Sequence, residues 1–223
     1  MNVAEKAKQQ GVINNLISGE DAAIKKAVTQ KDGFRAKIQD LQTNGTRDFS
    51  AQYVDKKLQE IQVEVLTAMQ TAYTDTETRL NQLLGLLQER DAVLDLTNPA
   101  LSVALSIIPT LGAIDSTNPG RQFDEAVKIN ANFVHDQPAL RALRTAYLAN
   151  GIQVTGNIDE MIYDAEKVIE NLKELAYQGF VQDGSINTFA VAFSKFAALE
   201  GMTTEKMPDP IGADEAMRRA AGL

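Results

Sequence analysis

The chain has 223 residues, no cysteine, no tryptophan, 44% hydrophobic residues and a formal net charge of −8. The missing cysteines exclude disulfides, thiol nucleophiles and thiolate metal sites. The acidic balance argues against nucleic acid binding by the bulk surface, which would have to neutralise phosphates. The hydrophobic share belongs to a globular rather than a disordered chain.

Residues 1–17 read as an N-terminal segment, in which Met1 to Gln10 lacks the apolar stretch of a signal peptide. The expectation is a soluble protein that is not secreted by a signal peptide. Ser18 reads as a helix N-cap, with Asp21 three residues on as the acid of a near-capping box. Ile24, Ala27, Lys31, Phe34, Ile38 and Leu41 then recur in alternating steps of three and four, a heptad seam with one polar interruption. Asn44-Gly45-Thr46 stops this helix, and Thr46 with Asp48 opens the next.

The second helix carries Val54, Leu58, Ile61, Val65, Ala68 and Ala72, continued by Leu80, Leu83, Leu87 and Leu94. Three successive steps of four, Ala68 to Ala72 to Thr76 to Leu80, act as a stutter inside the polar run 74–78. One helix over 47–95, roughly 70 Å long at about 1.5 Å per residue, and a broken pair both remain open. Leu58, Ile61, Val65, Leu80, Leu83 and Leu87 are the expected interface of a long antiparallel helical hairpin over 18–96 that self-associates.

From residue 97 the pattern shortens. Asn98-Pro99, Asn118-Pro119 and Asp136-Gln137-Pro138 are helix starts, with proline in the first turn. Helical segments are expected near 99–114, 119–134, 138–149, 157–178 and 185–200, with Asp183-Gly184-Ser185 as a capping turn. Together they suggest a compact helical bundle over 97–206. Ala100 to Ile114 is too short to cross a membrane and reads as a core helix. Ile152 to Thr155 is the one candidate strand, so the fold class is all-α. The prolines of Met207 to Gly212 make a stiff linker into a short helix over 213–223, its acids first and Arg218-Arg219 last.

Candidate chemistry is sparse. His135, the single histidine, precedes Asp136, but no nucleophile elbow accompanies the pair, and a helix-end histidine is the simpler reading. Asp159, Glu160, Asp164, Glu166 and Glu170 can line one helix, yet none has the histidine three residues on that a di-metal bundle needs. No phosphate loop, dinucleotide fingerprint or EF-hand loop occurs. Tyr147, Tyr163, Tyr177, Phe180, Phe189, Phe193 and Phe196 read as core and helix contacts, and Arg141 and Arg144 as surface charge. No catalytic, cofactor-binding or metal-ligating residue is therefore expected.

The acidic, cysteine-free hairpin from Ser18 to Leu96, with the ending Asp209-Pro210-Ile211-Gly212-Ala213-Asp214-Glu215-Ala216-Met217-Arg218-Arg219, resembles bacteriophage head-assembly proteins of the scaffold-like or minor head kind. The resemblance implies a basic terminal helix that docks on a coat or other virion protein, with Arg218 and Arg219 supplying charge and Met217 the apolar contact. Residues 97–200 read as better packed than a transient scaffold, which leaves a permanent virion role open. The expected function is a non-enzymatic structural or assembly protein, a homo-oligomer with protein partners and neither cofactor nor membrane. The rival is a monomeric helical adaptor or regulator, and a carboxylate enzyme near Asp159 to Asp164 is a third reading.

Overall fold

A computed structural model describes residues 3–45, 49–114, 119–152, 157–182 and 184–202. Among these the fold is all-α, with eight α-helices and no strand. They are α1 (Val3–Thr43), α2 (Ala51–Asp91), α3 (Pro99–Ile114), α4 (Pro119–Asn130), α5 (Gln137–Ala149), α6 (Asn157–Met161), α7 (Ala165–Phe180) and α8 (Ile186–Leu199), with a 3-10 turn at Ala131–Phe133.

The first helix does not begin at Ser18, which is exposed in mid-helix. Ile13 and Ile17 carry the seam backwards in the same steps of four and three, and both are buried. Burying two isoleucines is worth about 1.5–3 kcal/mol each. That outweighs the helix cost of Gly11 and Gly19, about 1 kcal/mol apiece. The helix ends where expected, with the Asn44 amide donating to Asp40 O at 2.8 Å.

The second helix is unbroken through the stutter. Its 41 residues span roughly 60 Å at about 1.5 Å per residue. It runs antiparallel to α1, since residue numbers fall on α2 as they rise on α1. Gln9 bonds the Leu86 carbonyl, Glu20 bonds Thr76, and a Cβ on Gly45 would touch Val54 at 3.3 Å.

The chain divides into two compact units, each entered more than once, rather than in simple chain order. One gathers the start of α1 as far as Ile13, residues Leu84–Val168 and Leu199–Gly201. The other gathers Asn14–Leu83 and Ile169–Ala198, with Met202. In the second unit Ile24, Ala27, Met69, Leu80 and Leu83 are buried along the hairpin. Phe180, Phe189, Phe193 and Phe196 form a run of tilted and edge-on ring contacts about 6 Å apart.

In the first unit Leu101, Ala104, Ile108, Leu140, Leu143 and Tyr147 centre one core. The expected helix 99–114 appears unchanged, capped by Asn98 Oδ1 accepting from the Ala100 amide at 3.0 Å. Asp136 caps α5 through the Ala139 amide at 3.1 Å. The segment expected as one helix over 157–178 breaks in two at 162–164. Buried Gln137 holds the break open, donating to Met161 O at 2.9 Å and accepting from the Tyr163 amide at 3.1 Å. Asp164 Oδ1 then caps α7 by accepting from the amides of Glu166 and Lys167. No helix among the described residues is long and apolar enough to cross a membrane.

Candidate functional site

The six expected interface residues fall into two groups. Leu80, Leu83 and Leu87 are fully buried inside the single chain. Leu58, Ile61 and Val65, nearer the α1–α2 turn, are only half-buried. On the same stretch of α2 but off the seam, Val63 and Leu66 are 64% and 65% exposed. Reading along the seam missed these two; the available signal was a pair of large apolar residues three apart on an otherwise polar face. Leu66 also forms one wall of a shallow cleft of about 410 Å3 with Thr67, Gln70, Thr71, Phe180 and Val181.

The hairpin also holds a polar layer that the heptad pattern conceals. The Glu20 carboxylate is 1% exposed and accepts from Thr76 Oγ1 at 2.8 Å and from Arg79 Nε. Thr76 is buried as well. The stutter therefore places a hydroxyl where the seam needs a donor.

In the first unit the unexpected feature is a buried ionic cluster at the end of α2. Arg90 Nε donates to Asp91 Oδ1 at 2.9 Å, Nη1 to Gln10 Oε1 and Glu200 Oε2, and Nη2 to Tyr163 Oη and Glu200 Oε1. Tyr163 Oη donates in turn to Glu200. Arg141 adds a second cation, 3.6 Å from Asp91 Oδ2 and hydrogen-bonded to Tyr163 O at 3.1 Å. Burial alone would lower the Arg90 pKa, but the hydrogen bond and negative charge of Glu200 hold it above its ordinary value. Burial raises the Asp91 carboxyl against the opposing pull of Arg90. Burial, then the Glu200 charge, pushes the Tyr163 phenol up.

A cleft of about 340 Å3 opens over this cluster, lined by Ala7, Gln10, Arg90, Val93, His135, Asp136 and Pro138. Arg90 turns all of its nitrogens inward to protein acceptors, so it offers no donor to an anion in the cleft. The lining contains no hydroxyl or thiol nucleophile. His135 lies in the turn after the 3-10 segment rather than at the end of an α-helix. Its Nδ1 lies 2.9 Å from Leu199 O, and its ring covers Gly201, where a Cβ would meet Nε2 at 3.0 Å. The geometry makes His135 a clasp on the chain after α8.

No family model, curated protein or solved structure matches this chain.

The five carboxylates expected on one helix are split between α6, the break and α7. Asp159 pairs with Arg144, Asp164 caps α7, and Glu170 pairs with Lys173. Among the described residues no three His, Asp or Glu side chains converge as metal ligands would. Tyr147 is buried, and its hydroxyl donates to Asn130 Oδ1 at 3.1 Å. Tyr177 is partly exposed, edge-on to Tyr73 at 5.4 Å. Residues 46–48, the Gln153–Thr155 part of the candidate strand, Asp183, and the partner-docking Met217, Arg218 and Arg219 lie outside the described residues.

Proposed function

We propose that this protein is a non-enzymatic assembly component that self-associates through the turn-proximal part of its helical hairpin. One observation carries the reading: towards the α1–α2 turn, α2 leaves Val63 and Leu66 exposed, and one chain only half covers Leu58, Ile61 and Val65. Two large aliphatic side chains left in water forgo about 1.5–3 kcal/mol each, which a second copy would recover. A role as a bacteriophage head or virion component, with Met217, Arg218 and Arg219 meeting a coat protein, fits this reading and the sequence resemblance.

The burial of Leu80, Leu83 and Leu87 within one chain favours a second reading, a monomeric adaptor whose hairpin is already satisfied. Solution mass separates the two. Light scattering should give a multiple of the 24.3 kDa chain, and the paired change Val63→Asp and Leu66→Asp should reduce it to one chain with helicity retained. A single-chain mass for the unaltered protein at high concentration would defeat self-association and leave the adaptor.

A further inference from the structure

Helix α3 has 16 residues, none of them charged, in a chain that is 23% charged. Leu101, Ala104 and Ile108 turn into the core, while the opposite side of the helix is bare. On that side Ser102, Ser106 and Thr110 are exposed, and Val103 and Ile107 are 56% and 41% exposed. An ordinary surface helix turns charged groups to water. One that presents large aliphatic residues there, with no charge, has the composition of an interior helix.

We propose that the outer face of α3 packs against the same face of a second copy. Charge selects this occupant. Two copies of a chain with a net charge of −8 repel one another overall, but this face brings no charge to the contact. A nucleic acid or a charged protein surface would find nothing here to pair with. A helix that lies on a membrane carries Lys and Arg along its polar side, and α3 has neither. The shape is self-complementary as well. Val103 and Ile107, four apart, make a raised row, and Ser102 and Ser106 make a low row next to it. A two-fold axis parallel to the rows lays the raised row of each copy over the low row of the other, with the helices crossing at about −50°. Ser106 Oγ already donates to Val103 O at 2.7 Å, so covering it leaves no hydroxyl proton unpaired.

Size sets the strength. From Ala100 to Thr110 the face is about 16 Å long and about 10 Å wide, far below the roughly 800 Å2 that each side of a stable dimer buries. The contact alone is therefore weak, with Kd on the order of millimolar, and dilute protein without the hairpin contact stays a single chain. Its role in assembly rests on the reading above: it joins copies that the hairpin has already gathered. One self-complementary face closes a pair, whereas two allow growth beyond it.

The test starts from the Val63→Asp and Leu66→Asp variant, which removes the hairpin contact. Sedimentation equilibrium at millimolar concentration should show its mean mass rising above one chain. Adding Val103→Lys with Ile107→Lys should raise Kd at least about tenfold. Ser106→Gln, which fills the low row without adding charge, should weaken pairing too. A single-chain mass at millimolar concentration would overturn the proposal, as would a mass that ignores the α3 changes. Flotation of the unaltered protein with phosphatidylcholine vesicles, lost on Val103→Lys with Ile107→Lys, would assign the face to lipid instead. A Tm lowered by those changes with no change in mass would assign it to another part of the same chain. Should the unaltered protein's mass respond to the α3 changes and not to Val63→Asp with Leu66→Asp, the hairpin reading fails while α3 pairing stands.

Discussion

At the scale of single residues, the costly feature is Glu20, a carboxylate sealed inside a helix seam. Its stability contribution depends on keeping Arg79 and Thr76, because an unpaired buried ion costs several kcal/mol. Arg79→Met should therefore destabilise the protein by about 3 kcal/mol in urea titration, while adding Glu20→Leu should recover most of that loss. Equal losses in the single and double variants would show that the pair is not coupled. Tyr147 gives a second test, with the opposite kind of group. Burial raises its phenol from 10.0 to about 12. The unfolded chain ionises first, so this contribution is intact below pH 10 and drains away as pH rises towards 12. Across that window the loss is about 2–3 kcal/mol at about 1.4 kcal/mol per unit. Tyr147→Phe should flatten the alkaline fall in stability, at a cost near neutrality of about 1 kcal/mol for the hydroxyl's lost hydrogen bond to Asn130.

At the scale of elements, the seam from Val54 to Leu87 could be followed by counting threes and fours, and so could the proline-marked starts of α3 and α5. What escaped was settled by partners distant in sequence. Glu20 reads as an ordinary surface acid until Thr76 and Arg79 arrive from a helix more than fifty residues away. The break at 162–164 lacks proline or glycine, and it is held by Gln137 from another helix. Val63 and Leu66 escaped because periodicity picks out a covered face and says nothing of large residues left outside it. Asp164→Ala should cost about 1 kcal/mol, the usual value of an N-cap, measured by thermal melting. Gly201 has φ +76° with the His135 ring against it. Gly201→Ala should cost at least about 1–2 kcal/mol for the left-handed backbone alone, and His135→Ala should relieve only the steric part.

At the scale of the whole molecule, each of the two units takes in part of both long helices. If copies associate near Leu66, the folded state is favoured by mass action, and Tm should rise with protein concentration. The Val63→Asp and Leu66→Asp variant should lose that dependence while melting near the dilute wild-type value. A concentration-independent Tm in the unaltered protein would speak for the adaptor. Leu83→Asp, by contrast, should unfold the hairpin outright, since it buries a carboxylate in the apolar seam.

The polar layer in the hairpin also governs which alignments the two long helices can adopt. Heptad repeats tolerate sliding by seven residues, because one apolar rung resembles the next. Here a slip in either direction would set Glu20 against Met69 or Leu83 instead of Thr76, all three of them buried positions. A carboxylate pressed into hydrocarbon would be expelled at a cost of several kcal/mol, so mispaired hairpins reopen and search again. The same residue that weakens the seam at one rung leaves the ratchet with a single stable tooth.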